Sequence, residues 1–278
     1  MAELAILNDV TRCMGCRGCQ VSCKQWNELP AEKTQFFAGN GYQNPADLSF
    51  NTWSLLKFTE WGNNGRVNWA FHRRACMHCS DAACVEVCPT GAMHHSEEGF
   101  VVLNEDDCVG CRWCQGACPF DVPRFEQKAS KCILCFDRVR SDLPPACVKA
   151  CSAGALHFGP RDEMLARARN RVAERLGRTV YGDTQLGGLH VIYVLPDEPA
   201  RFDLPETPRP GSAVGVIKLL KCLLPGGLLV SALLALSRLD TGSTSTTEGE
   251  APKNTKALNT EAEDNVSESG AKGPARKS

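Results

Sequence analysis

The sequence predicts an α+β fold of short strands and short helices. Cysteine-rich blocks fill the first 151 residues, and an apolar helix and a polar tail follow them. Three observations predict it. Of 17 cysteines in 278 residues, all but Cys222 lie within the first 151. The other sixteen form four blocks of four: Cys13, Cys16, Cys19 and Cys23; Cys76, Cys79, Cys84 and Cys88; Cys108, Cys111, Cys114 and Cys118; Cys132, Cys135, Cys147 and Cys151. Finally, the 24 residues from Ala213 to Leu236 carry no charge except Lys218 and Lys221. A net charge of -1 and 43% hydrophobic residues exclude a collagen-like or wholly disordered chain and give no sign of nucleic-acid binding. An odd cysteine count, behind a start (Met1-Ala2-Glu3-Leu4) without an apolar signal, argues for bound metal rather than disulfides.

The elements follow in chain order. The first and third blocks both read C-x2-C-x2-C-x3-C, and CMGCRGCQVSC matches CVGCRWCQGAC at 7 of 11 positions, the mark of an internal duplication. Leu55 to Glu60 and Arg66 to Phe71 are expected to pair as a hairpin across Gly62-Asn63-Asn64-Gly65. Phe100 to Leu103, entered by Gly99, reads as a strand. From Asp162 to Leu176 the apolar residues Leu165, Ala168, Val172 and Leu176 keep helical spacing, with Asp162 as the cap and Gly177 as the stop. His190 to Leu195 is a β-branched strand closed by Pro196. Five prolines between Pro196 and Gly211 predict a linker over the surface. The apolar stretch beyond it exceeds the ~20 helical residues needed to cross a bilayer, with its lysines placed to snorkel. Arg238 to Ser278, polar and without aromatics, is expected to be disordered.

Two plus two cysteines at a distance suit zinc, whereas here three close thiols and a fourth set apart recur four times. In C-x2-C-x2-C-x3-C, three thiolates grip one cubane and the fourth serves a second cluster. The spacing therefore predicts four [4Fe-4S] clusters, with all sixteen cysteines as ligands, and a polypeptide that carries electrons. No nucleotide, flavin or hydrolase motif is present, and no catalytic residue is expected. Arg17, Arg73, Arg74, Arg112, Lys128, Lys131, Arg138 and Lys149 lie next to the blocks, where cations raise cluster potentials. The six histidines show no ligand spacing.

Cys88-Pro89-Thr90-Gly91-Ala92, the strand at Phe100 and then Cys108 resemble the two-cluster ferredoxin pattern. That resemblance implies that Cys76, Cys79 and Cys84 share a cluster with Cys118, and Cys108, Cys111 and Cys114 with Cys88. The outer blocks then pair with each other: Cys13, Cys16 and Cys19 with Cys151, and Cys132, Cys135 and Cys147 with Cys23. Two ferredoxin-like units are thus nested, although Lys24 and Ser152 stand where the pattern has proline. The outer unit is expected over 1–75 and 119–196, the inserted unit over 76–118, the linker over 197–212, a transmembrane helix over 213–237 and the tail over 238–278.

Several runs resemble the iron–sulfur (beta) subunits of molybdopterin oxidoreductases, and within them those of respiratory formate dehydrogenase. They are Cys13 to Asn27, Tyr42-Gln43-Asn44-Pro45, Thr52-Trp53, Arg73 to Cys79, Cys84 to Gly91, and Gly187 to Tyr193. The resemblance implies a four-cluster relay. Electrons would leave formate at a molybdenum- or tungsten-pterin alpha subunit and reach a membrane cytochrome b or quinone-reducing gamma subunit. It also implies a single-pass anchor through 213–237 in the inner membrane, with the soluble part periplasmic or, alternatively, on the cytoplasmic face. The same relay in a sulfoxide, polysulfide or nitrate reductase, or in a hydrogenase-linked complex, is the alternative.

Overall fold

The first and last strands of the folded region lie side by side. β1 (Leu4–Asp9) is followed by α1 (Gly18–Trp26), β2 (Leu55–Asn63), β3 (Arg66–Arg74), α2 (Ala83–Val87), β4 (Met93–His95), β5 (Val101–Leu103) and α3 (Trp113–Ala117). Then come β6 (Arg124–Phe125), β7 (Ala129–Ser130), α4 (Phe136–Arg140), α5 (Ala146–Lys149), β8 (Leu156–Pro160), α6 (Arg161–Ala173), β9 (Thr179–Tyr181) and β10 (Val191–Leu195). This computed structural model describes residues 3–33, 42–63, 65–212 and 214–217.

A four-stranded sheet runs β8-β1-β10-β9. β1 pairs parallel with β10, Ile6 opposite Val191, and antiparallel with β8, Leu7 opposite His157. Because side chains alternate along a strand, the sheet separates two layers. Ala5, Leu7, Ile192 and Val194 pack with Met164, Leu165 and Ala168 of α6. Ile6, Val191, Tyr193 and Leu195 face a larger core that includes Cys19, Cys76, Cys132 and Cys147. A smaller core gathers Ala82, Ala83, Val87, Met93, Val101, Cys114 and Ala117 around the second and third blocks.

The expected hairpin forms, with β2 and β3 each longer than the pattern suggested and Phe58 opposite Phe71. β5 and β10 occupy the runs read as strands, each starting one residue later. The helix of the second half differs at both ends. It begins at Arg161, where Pro160 is the cap residue and makes no side-chain cap bond, so Asp162 lies inside the first turn. It ends at Ala173, because Arg175 turns left-handed (φ 59°) and Leu176 N–H donates to Arg171 O, a Schellman closure. Gly177 serves another purpose: a Cβ there would meet Val194 Cγ1 at 2.4 Å. The proline-rich stretch contains a 3-10 turn, Pro199–Phe202, and inserts Phe202 and Leu204 into the larger core.

The predicted transmembrane helix at 213–237 and the tail at 238–278 lie outside the described residues, apart from 214–217. Those four are helical, and Val214 and Ile217 are buried in the smaller core. Among the described residues no helix is long and apolar enough to cross a membrane.

Candidate functional site

The duplicated blocks share a backbone. Gly15 (φ 76°) and Gly110 (φ 68°) turn the polypeptide between the first two cysteines of each, and Arg17 (φ 60°) and Arg112 (φ 63°) are left-handed at the entry to α1 and α3. The two arginines also end alike, over the Phe58 ring at 5.1 Å and over Phe125 at 5.9 Å. The second and fourth blocks correspond as well. Met93 N–H donates to Cys88 Sγ and Leu156 N–H to Cys151 Sγ, each five residues past its cysteine, beyond the left-handed Gly91 and Gly154. The signal for this second match was present in the sequence: Cys88-x-x-Gly91-Ala92 and Cys151-x-x-Gly154-Ala155.

The cysteines gather in four groups. Cys13, Cys16, Cys19 and Cys151 line one cavity. Cys23, Cys132, Cys135 and Cys147 line a second, and Cys88, Cys108, Cys111 and Cys114 a third. The remaining four adjoin one another, since Cys76, Cys118 and Cys84 all act electrostatically on Cys79. Each group takes three thiols from one block and the fourth from another. No disulfide joins any two of the sixteen. Among the described residues no three His, Cys, Asp or Glu side chains converge closely enough to hold a single metal ion. Four thiols around a cavity suit a polynuclear cluster, and backbone donors already point at Cys88, Cys108, Cys132 and Cys151, with N···S distances of 3.4 to 3.5 Å.

Two models described as 4Fe-4S dicluster domain match the sequence, one over residues 12–92 and one over 67–161. Over 243 residues the protein is 40% identical to the iron–sulfur subunit of nitrate-inducible formate dehydrogenase from Escherichia coli, covering 83% of this polypeptide and 82% of that one. The protein belongs to the formate dehydrogenase iron–sulfur subunit family. It is 36% identical to the beta subunit of formate dehydrogenase 2 (cytochrome c-553) of Nitratidesulfovibrio vulgaris, over 71% of its own length and 95% of that subunit. It is also 38% identical to a component of the anaerobic dimethyl sulfoxide reductase of Haemophilus influenzae, over 60% of its own length and 78% of that component. The protein is thus an electron-transfer subunit that binds [4Fe-4S] clusters, the non-catalytic partner of a separate catalytic subunit.

Electrostatics in the iron–sulfur subunit follow from burial. Desolvation pushes the thiols of Cys19, Cys84 and Cys135 up to about 12 and that of Cys118 to about 11. Neighbouring cysteines raise these thiols further, so the bare groups stay protonated, whereas a bound iron centre displaces the proton from each ligand. Two cations oppose the trend. Arg73 favours the thiolates of Cys19, Cys23, Cys135 and Cys147, Lys131 those of Cys76 and Cys84, and Arg73 acts on Cys76 as well, less than Lys131 does. Of the eight cations singled out in the sequence, these two are the buried ones, each 2% exposed. Nothing in the sequence set them apart from the rest.

His78, between Cys76 and Cys79, is fully buried, accepts Val101 N–H at Nδ1 (3.2 Å), and is held neutral by burial. It braces β5 against the second block. His190 is likewise structural: its Nδ1 lies 2.7 Å from Leu4 O, and its ring occupies the space where Gly99 has no side chain.

Proposed function

We propose that this subunit holds four [4Fe-4S] clusters in a row, and that it relays electrons from formate oxidised at a molybdenum- or tungsten-pterin alpha subunit to a membrane cytochrome b or quinone-reducing gamma subunit. The ligand sets are Cys13, Cys16, Cys19 and Cys151; Cys23, Cys132, Cys135 and Cys147; Cys76, Cys79, Cys84 and Cys118; and Cys88, Cys108, Cys111 and Cys114.

The succession of neighbours carries this reading. Cys147 acts on Cys19, Cys132 acts on Cys76, and Cys84 acts on Cys114, so each group adjoins the next, which supports a relay through the four in that order. Each cluster, when bound, takes up and gives back one electron. The polypeptide's part is to fix the four sites on short elements, keep their interior faces dry and leave the ends approachable. At one end Cys16 is exposed beside exposed Met14 and the Arg17 guanidinium over Phe58. That end suits the catalytic partner. At the other end Val214 and Ile217 pack into the core that holds Cys88, Cys108 and Cys114. The apolar stretch that starts there supports a transmembrane anchor at 213–237 in the inner membrane, with the clusters on the periplasmic side. The outer unit spans 1–75 and 119–196 and the inserted unit 76–118.

In the purified membrane complex, formate should bleach the broad visible absorption of this subunit's clusters. Cys84→Ala should block electron arrival at the membrane acceptor and spare formate-to-dye activity at the alpha subunit. A complex whose cluster absorption ignores formate, yet responds to another substrate, contradicts the formate assignment. The similarity to a dimethyl sulfoxide reductase component favours one second reading, the same relay run toward a reductase, and the same assay separates the two.

A further inference from the structure

Arginine and lysine are almost never fully buried unless paired. Arg73 and Lys131 are fully buried, yet among the described residues neither has a carboxylate within ion-pair distance. Arg73 lines both the cavity of Cys13, Cys16, Cys19 and Cys151 and that of Cys23, Cys132, Cys135 and Cys147. Its Nε donates to Ser54 Oγ at 2.9 Å and its Nη2 lies 3.6 Å from Cys132 Sγ. Its Nη1 has no acceptor among the described residues. Tyr193 Oη donates to the Arg73 carbonyl at 2.7 Å, and Asn8 Nδ2 to the same oxygen at 3.4 Å, so the sheet pins the residue's backbone. Lys131 Nζ donates to Val101 O, in the inner unit, and to Cys132 O, in the outer one, and its charge reaches Cys76 and Cys84. A buried cation without a carboxylate needs another anion, and the anions on offer are the thiolate-ligated clusters.

We propose that Arg73 and Lys131 are fixed counter-charges at the junctions of the cluster row. Arg73 is shared by the first and second clusters and Lys131 by the second and third, and each holds its pair at higher reduction potential than a neutral side chain would. The inference rests on the four-cluster reading. Its physical basis is that adding an electron makes a cluster more negative, and a nearby fixed positive charge in a low-dielectric interior favours that state. Among the described residues no buried cation lines the cavity of the fourth site, of Cys88, Cys108, Cys111 and Cys114; Arg112, which lines it, is exposed.

The test is an EPR-monitored redox titration of the intact complex bearing Arg73→Gln, Arg73→Lys or Lys131→Gln, with iron and sulfide determined first. Arg73→Gln should shift the first two clusters most to lower potential, with a smaller shift at the third, where Arg73 also acts on Cys76; Lys131→Gln should shift the second and third, and the fourth should move in neither variant. Arg73→Lys, which keeps the charge, should stay near the wild type. Unchanged potentials in the glutamine variants, equal shifts in all four clusters, or a lysine variant shifted as far as Arg73→Gln would each overturn the proposal. Should Arg73→Gln lose clusters that Arg73→Lys keeps, the need for charge is read from assembly; loss in both assigns Arg73 a packing role and overturns its part. Wild-type protein without iron and sulfide would instead sink the cluster reading itself, before either cation is at issue.

Discussion

The duplication offers an internally controlled experiment, alanine at Gly15 and at Gly110. Both glycines are left-handed, so a Cβ costs each about 1–2 kcal/mol of backbone strain. Their surroundings differ. At Gly15 the atoms nearest the new methyl are those of the Phe71 ring, at 3.3 Å, and a partly buried ring on a hairpin can give by tenths of an ångström. At Gly110 it would meet the backbone carbonyl oxygen of Gln127 at 2.2 Å. That carbonyl lies two residues before Ala129, whose N–H donates to Cys108 Sγ. Relieving the clash means displacing the loop that feeds β7, an overpacking cost of about 1–3 kcal/mol beyond the strain. Gly110→Ala should therefore destabilise by about 2–5 kcal/mol in all and Gly15→Ala by about 1–2 kcal/mol. The assay is heat-induced bleaching of cluster absorption in the intact complex, with both variants scanned at one rate because cluster loss is irreversible. The Gly110→Ala midpoint should fall several degrees further, and the signal of the Cys88, Cys108, Cys111 and Cys114 site should disappear first. Equal midpoints, or a larger fall for Gly15→Ala, would refute the reasoning.

Three further outcomes are expected. Phe100 is fully buried, with ring centroids of His78, Phe158 and His190 at 6.1 to 6.5 Å, so Phe100→Ala should cost about 3–5 kcal/mol, read as a fall in the unfolding midpoint. Asp9, 2% exposed, accepts from Thr11 N–H and from Arg171 Nε at 2.7 Å; Asp9→Ala should cost about 3 kcal/mol, the low end for a broken buried pair because Arg171 stays partly solvated. Burial, with Lys57 and Arg74 nearby, drives the His72 pKa down to about 3, so the native ring stays neutral while the unfolded one takes a proton below about 6.5. Its contribution is therefore intact above that pH and falls by about 1.4 kcal/mol per pH unit from there toward pH 3. His72→Leu should remove that slope between pH 7 and 5, relative to wild type; parallel profiles would contradict the assignment.

The sequence is most legible where chemistry dictates spacing. Four thiols must converge on each site, so the blocks declare themselves, and the hairpin announces its turn. The pairing at the centre of the four-stranded sheet was not legible. β1 ends in Asn8 and Asp9, which a pattern reading takes as polar surface, yet both are buried because Arg73 O, Thr11 and Arg171 satisfy them. Its parallel partner β10 lies some 180 residues away, a pairing that no local period encodes. The end of α6 was misplaced for a related reason: glycine is the ordinary stop, and Arg175 took the left-handed position instead. Most telling for function, Arg73 and Arg74 are neighbours of the same type. The first is enclosed between two groups of cysteines, while the second reaches Asp47 at the rim. Only the packing of the hairpin on the sheet separates their roles.

The central claim, four cubane clusters held by sixteen cysteines, is tested most directly by iron and acid-labile sulfide determined on the complex and apportioned to this subunit. The account predicts about sixteen of each per subunit, four per cubane. A content near eight, or zinc without sulfide, would contradict it.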